Sequence, residues 1–280
     1  MSVVAGSRIF CIPALRSSTL AVIARGPSAW CHLGRWDPSA PAYEPGSWLR
    51  ATIYPQRCDL SPDGRWLAYF ALKGTATWPP GPTYVAVSRL PWLTALVGWG
   101  TGGTWTRGVQ FEEDRDVWEV PDPDVGDPAP LRERFGLAVA RAHSFAVERR
   151  RGWAESPGTP ARDPRDLWDE WRGHRIVMEK ARPGSGGSTL LAVSGTYAAF
   201  REAHGFPDRE ELRYVIVDGG GRRELDDVQW ADWDSQGRLL VATAEGRLQI
   251  LGDARRPDWE VDLSGRVPEP VPPPPEASEW

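Results

Sequence analysis

One short pattern occurs twice in this chain and limits the folds open to it more than any other feature. Asp59-Leu60-Ser61-Pro62-Asp63-Gly64-Arg65-Trp66-Leu67-Ala68 aligns without gaps on Asp232-Trp233-Asp234-Ser235-Gln236-Gly237-Arg238-Leu239-Leu240-Val241. Each copy reads as the end of one strand, a tight turn and the start of the next. Asp and Ser side chains bond the backbone of such turns. A glycine at the same place in both copies supplies the positive φ that a hairpin turn needs. Asp59, Ser61, Asp63 and Gly64, with Asp232, Asp234 and Gly237, are therefore structural turn residues in this reading. At roughly 40–45 residues per blade of a β-propeller, the two copies lie about four blade lengths apart, or three if the loops are long.

The rest of the chain fits that period. Apolar, β-branched or aromatic runs bounded by Gly, Pro, Ser or Asp recur from Arg8 to Leu263 and number about twenty. Twenty strands make five four-stranded blades, with six as the alternative. The expected fold is an all-β propeller. Its ring would close by pairing N-terminal strands with the last ones, since closure protects exposed sheet edges. The segment Leu60 to Tyr69 resembles the S-P-D-G-[KR]-x-[LIV]-A-[FY] signature of the WD40-like repeat of TolB-type β-propellers, and Asp232 to Val241 is a degenerate copy of it. The resemblance covers two blade cores. It implies the propeller fold and leaves function open, because propellers host binding, scaffolding and many chemistries.

Residues 1–265 read as a single propeller domain carrying an insertion at about 154–173, and residues 266–280 as a proline-rich tail. Within the insertion, Asp163 suits a helix N-cap and Pro164 the first helical position. Residues 131–153 fit both a helical and an alternating pattern, and the repeat context favours a β-hairpin. The tail, with Pro272 to Pro275 contiguous, reads as an extended segment that either dangles or docks a partner.

The net charge of −5 and pI of about 5.5 give no basic field for phosphate backbones, so nucleic acid is not an expected partner. No window approaches about 18 uninterrupted apolar residues, so no membrane association is expected either. Cys11, Cys31 and Cys58 form no C-x-x-C pair, and three cysteines cannot all pair within one chain. Reduced thiols and a cytoplasmic location follow. Sixteen tryptophans accompany a shortage of lysine, with Lys73 and Lys180 alone among 33 basic residues, and a complete lack of Asn. Codon usage in a GC-rich genome accounts for most of this skew.

Candidate chemistry falls away on context. Gly98-Trp99-Gly100-Thr101-Gly102-Gly103 satisfies G-x-G-x-x-G, but a strand-like run follows where a dinucleotide site needs a helix, so it reads as a glycine-rich hairpin turn. Asp59, Ser61 and Asp63, and Asp232, Asp234 and Gln236, open like calcium loops, yet Phe70 and Thr243 stand where the closing acid belongs. Cys11, Cys31, His32 and Cys58 lack the spacing of common zinc sites and read as buried thiols. There is no G-x-S-x-G, and His32, His143, His174 and His204 carry no local signature. The acids of Glu112-Glu113-Asp114-Arg115-Asp116 and Asp169-Glu170 read as solvated loop charges. No catalytic residue, metal or cofactor is assigned.

The tryptophans divide. Trp66, Trp118, Trp230 and Trp233 sit at strand positions and are expected to pack between blades. Trp36, Trp48, Trp78, Trp99, Trp153, Trp168 and Trp171 stand beside Gly, Pro or charged residues and read as loop aromatics, the residues with which a rigid scaffold contacts partners. The sequence thus points to a non-enzymatic binding or scaffold module that engages a protein or peptide through its loop face or central channel. The alternative is a propeller hydrolase acting on a carbohydrate or lactone, with carbohydrate as the alternative ligand.

Overall fold

The computed structural model describes residues 8–26, 30–74, 81–101, 103–104, 109–111, 139–141, 146–156, 177–184, 187–193, 212–252, 256–269 and 271–278. The fold is all-β. The first sheet runs β1 (Arg8–Pro13), β2 (Leu20–Arg25), β3 (Trp30–Asp37), β4 (Ala42–Arg50) in chain order. In the second, β5 (Thr52–Ile53) and β6 (Asp59–Leu60) flank a 3₁₀ turn at Pro55–Arg57 and both pair with β7 (Trp66–Leu72), followed by β8 (Thr83–Arg89) and β9 (Ala95–Gly100). The third pairs β10 (Val109–Phe111) with β11 (Val139–Arg141), and one short helix, α1 (Ala146–Arg150), comes next. The fourth holds β12 (Ala154–Glu155), β13 (Val177–Ala181), β14 (Thr189–Val193), β15 (Arg213–Asp218) and β16 (Gly221–Glu224). The fifth holds β17 (Val228–Trp233), β18 (Leu239–Thr243), β19 (Arg247–Leu251) and β20 (Trp259–Asp262). Successive antiparallel sheets of consecutive strands are the blade pattern of a β-propeller.

The chain divides into two compact units, Met1–Phe10 with Glu148–Arg266, and Cys11–Val147 with Val267–Trp280. In the second of these, β7 reads Trp-Leu-Ala-Tyr-Phe-Ala-Leu and is buried on both faces, which is why it is continuously apolar rather than alternating. One face joins Tyr54, Val85, Val87, Val109 and Phe111 in a core cluster. Burying side chains such as Phe70 is worth about 1.5–3 kcal/mol each. Arg57 is buried within this cluster, its guanidinium 4.9 Å from the Tyr54 ring centre and 5.1 Å from that of Phe70, and its Nη1 donates to the Thr104 carbonyl at 2.7 Å. At the other extreme β16, Gly-Arg-Arg-Glu, is exposed throughout, and its charges discourage pairing at that sheet edge.

Both copies of the repeated pattern are tight turns of the expected kind. Gly64 has φ +79° and Gly237 φ +74°, and their N–H groups donate to the Ser61 and Asp234 carbonyls at 2.8 and 3.0 Å. In the first turn the Ser61 hydroxyl donates to Asp63 at 2.6 Å and accepts the Trp66 N–H at 2.9 Å, while Arg65 Nε donates to Asp63 at 2.6 Å. In the second, Asp234 takes over both tasks, accepting the Arg238 N–H at 2.8 Å and Arg238 Nε at 2.7 Å. The Asp63 and Asp234 carboxylates are thus engaged by the turns' own donors. Each turn is also met by the hairpin loop of a neighbouring sheet in its own unit. Arg16 N–H donates to the Pro62 carbonyl at 2.7 Å, and Arg182 Nε donates to the Gly237 carbonyl at 2.6 Å.

Burial by itself would raise the Asp63 carboxyl, but the Ser61 hydroxyl and the side chain, N–H and charge of Arg65 hold it below the usual carboxylate range. A carboxyl depressed in the folded state contributes stability that is full above its unfolded pKa and is lost as pH falls through the folded one. Asp63→Asn is therefore expected to flatten the fall in melting temperature below about pH 4. Thermal melts of both proteins between neutral and acid pH check this, and parallel curves would contradict it.

Several expectations change. Among the described residues the fifth sheet pairs only β17 to β20, and no N-terminal strand joins it. β1 finds its ladder partner in β2 across a short loop, a closure that costs little chain entropy. The Ile9 N–H of β1 donates to Gln229 Oε1 of the fifth sheet at 2.7 Å. The hairpin expected over 131–153 is replaced by β11, which pairs back to β10, and by α1. Gly98, Trp99 and Gly100 lie within β9 rather than in a turn. Ala154 and Glu155, at the start of the expected insertion, pair with β13, and the helix expected from Asp163 lies outside the described residues. The tail folds back on the unit of Cys11–Val147, with Ala277 of a 3₁₀ turn at Pro275–Ser278 buried.

Candidate partner-binding surface

In the first sheet, cross-strand neighbours share a face, and the register sets His32 opposite Trp48, Gly34 opposite Pro45 and Trp36 opposite Tyr43, with a bulge between His32 and Gly34. Gly34 is required there, because a Cβ would fall 2.1 Å from the Tyr43 hydroxyl. The Tyr43 ring takes that space, bringing its hydroxyl to 3.3 Å from His32 Nδ1. The His32 ring is buried and lies 4.7 Å from the Trp48 ring at 42°. Trp48 and Tyr43, on the outermost strand of the sheet, stay half-buried.

The second sheet repeats this arrangement at its outer strand. Trp99 of β9, paired with Val85, packs on the core cluster beside Leu72, Leu96 and Val97 but is only half-buried. Its indole Nε1 is buried with no hydrogen-bond partner among the described residues, a donor left uncompensated. The two sheets meet where β4 abuts the turn after β8. The Ser47 N–H donates to the Pro91 carbonyl at 3.2 Å, and a Cβ on Gly46 would fall 1.9 Å from that oxygen. The next residue, Trp92, is half-buried and donates its N–H to the Arg89 carbonyl at 2.7 Å. Half-buried indoles thus stand on the outer strands of both sheets, at Trp48 and Trp99, and in the turn between β8 and β9, at Trp92.

The tryptophans proposed from sequence are distributed unevenly. Trp48 and Trp99 keep exposed surface, although both are strand residues rather than loop residues. Trp36 is fully buried in β3 and Trp153 is 6 % exposed, so both belong to the core. Trp78, Trp168 and Trp171 lie outside the described residues, as do Trp118, His143, His174, His204 and the acids at 112–116 and 169–170. Trp66, Trp230 and Trp233 are buried in strands as expected. Trp92, beside Pro91, carries the same local cue as the proposed set and is half-buried.

Trp153 is buried beside an ion pair in the unit that contains Glu148–Arg266. Asp232 there accepts Lys180 Nζ at 2.6 Å and the Trp233 N–H at 2.7 Å, and the Trp153 indole also donates to it. Burial pushes the Asp232 carboxyl up, an effect that the Lys180 charge and these hydrogen bonds only partly offset. Lys180 Nζ lies 3.4 Å from the Trp233 carbonyl as well. The arrangement pins β13 to the repeated turn. The matching carboxylate of the other copy, Asp59, is buried and accepts the Leu60 and Phe111 N–H groups at 2.9 and 2.8 Å. Nothing in the local sequence pairs Lys180 with Asp232, and only the fold brings them together.

Cys11, Cys31 and Cys58 are free and buried, and burial raises all three thiols, so they are poor nucleophiles. Among the described residues no three His, Cys, Asp or Glu side chains converge as metal ligands, and no helix is long and apolar enough to cross a membrane.

No family model matches the chain, and no curated protein matches it. Among solved structures it is similar to a putative 6-phosphogluconolactonase from Bacteroides fragilis, with 11% sequence identity and a TM-score of 0.27, over 94% of this chain and 95% of that one.

Proposed function

We propose that the protein is a non-enzymatic binding or scaffold module, a propeller with TolB-like, WD40-like repeats that works in the reducing cytoplasm and holds a protein or peptide partner. The observation that carries this reading is a set of half-buried indoles, Trp48 and Trp99 on the outer strands of consecutive sheets and Trp92 in the turn between β8 and β9. Partly exposed tryptophans that lose little entropy on docking are the residues from which binding hot spots are built. The buried acids Asp59 and Asp232 bear on the same point, since their oxygens are engaged in holding turns and sheets together.

The test is affinity purification from the native cell, comparing the wild type with Trp48→Ala and with Trp99→Ala. A protein recovered with the wild type is expected to fall at least about tenfold with each variant, the loss typical of a hot-spot residue. Recovery of the bait alone contradicts the reading. So does turnover of glycosides or lactones by the purified protein, which would establish the hydrolase alternative.

A further inference from the structure

We propose that the end of β8 is an acceptor for a proline-rich peptide and that the chain's own C-terminal segment occupies it as a displaceable latch. This rests on the reading of the protein as a peptide-binding module and names the class of peptide it takes. The segment is folded back by very little. Its 3₁₀ turn is closed by the Ala277 N–H donating to the Pro274 carbonyl at 2.9 Å, and Arg89 Nη1 donates to the Glu276 carbonyl at 3.0 Å. Ala277 is the one fully buried side chain among residues 271–278, and it is a single methyl.

Apart from half-buried Pro274, the residues around that anchor face water. Pro272, Pro273, Pro275, Glu276 and Ser278 are exposed, and Val271 and Val267 are 49% and 71% exposed. Among the described residues, a segment held by the Ala277 methyl, part of Pro274 and the exposed Arg89 hydrogen bond gains little from staying. Its prolines nonetheless restrict the free chain, so a peptide of this kind docks at low entropic cost.

The seat recognises features that are not unique to the tail. Arg89 reads a backbone carbonyl, and the buried site accepts a small side chain just after a proline turn. A partner segment of the same chemistry meets the same requirements. The position also matters, because the Arg89 carbonyl accepts the N–H of Trp92, one of the half-buried indoles of the proposed partner surface. A peptide entering at Arg89 lies at the edge of the proposed partner surface, and the latch covers that edge when no partner is present.

The probe is a synthetic peptide spanning residues 267–280, titrated by fluorescence anisotropy into full-length wild type and full-length Ala277→Glu. The variant, whose own tail no longer fits the seat, is expected to bind the peptide at least tenfold tighter than the wild type. Adding Arg89→Ala to it is expected to abolish that gain. Equal binding by wild type and an Ala277→Glu protein that melts normally overturns the proposal, as does binding by neither. Hydrogen exchange on the unmodified protein decides the matter independently of any variant. The Ala277 amide is expected to exchange far faster than the amides of β8, and equal protection overturns the latch. Tail exchange between copies with concentration-dependent dimerisation overturns a latch closed within one chain. Loss of partner capture with peptide exchange intact would fail the binding-module reading alone, and the converse would fail the latch alone.

Discussion

Lys180→Met is expected to lower the unfolding free energy by about 3–5 kcal/mol, the cost of leaving a buried carboxylate without its partner charge. Asp232 is enclosed, with 5% of its side-chain surface exposed, and Lys180 retains 14%, so solvent does little to compensate. The size of the loss should depend on pH with a definite sign. A carboxyl raised in the folded state makes a contribution that is favourable in acid and is lost as pH rises through its folded pKa. Burial already raises Asp232, and removing the lysine takes away the main opposing influence. The gap between wild type and variant should therefore be widest near neutrality and narrow as pH falls toward the carboxylate range. Lys180→Met/Asp232→Leu should regain part of the loss, with the Trp233 N–H and the Trp153 indole left unsatisfied. Urea titrations at neutral and acid pH measure all of this, and a neutral-pH loss below about 1 kcal/mol, the value of an exposed pair, would contradict it.

The second large effect concerns the equivalent acid of the other repeat. Asp59→Ala is expected to cost about 2–6 kcal/mol, since two buried N–H groups, of Leu60 and Phe111, lose their acceptor at about 1–3 kcal/mol each. The Phe111 bond joins the repeated turn to β10 of the next sheet, so this loss measures how firmly the two sheets are held. Asp59→Asn keeps one acceptor oxygen but turns an NH₂ toward the second donor, and it should fall between wild type and alanine. Denaturant midpoints rank the three proteins. An alanine variant as stable as wild type would show that the bond contributes nothing.

The fold was legible because its signals are local. Gly64 and Gly237 with Asp and Ser around them specify a turn whatever surrounds it, and the positive φ values at both glycines follow from that chemistry. Exposure is a different matter, since it depends on what the neighbouring sheets cover. Trp36, flanked by Arg35 and Asp37, looks like a loop residue by its neighbours. A strand turns successive side chains to opposite faces, so Arg35 faces outward while Trp36 is sealed in the core. Trp153 follows Gly152, whose φ of +84° redirects the chain, and it ends beside Asp232. Trp48 and Trp99 keep partial exposure for a different reason from the one their neighbours suggest. They stand next to Ser47, Gly98 and Gly100 on outer strands, where fewer atoms cover them, rather than in loops. The Lys180–Asp232 pair spans 52 residues and could be read only from the folded chain.

The most direct test of the partner surface is hydroxyl-radical footprinting of the indoles, free and in the complex captured from the native cell. Trp48, Trp92 and Trp99 should react in the free protein and become protected in the complex, while Trp36 and Trp153, buried in both, should react in neither. Unchanged reactivity at Trp48, Trp92 and Trp99 once the partner is bound would contradict the account.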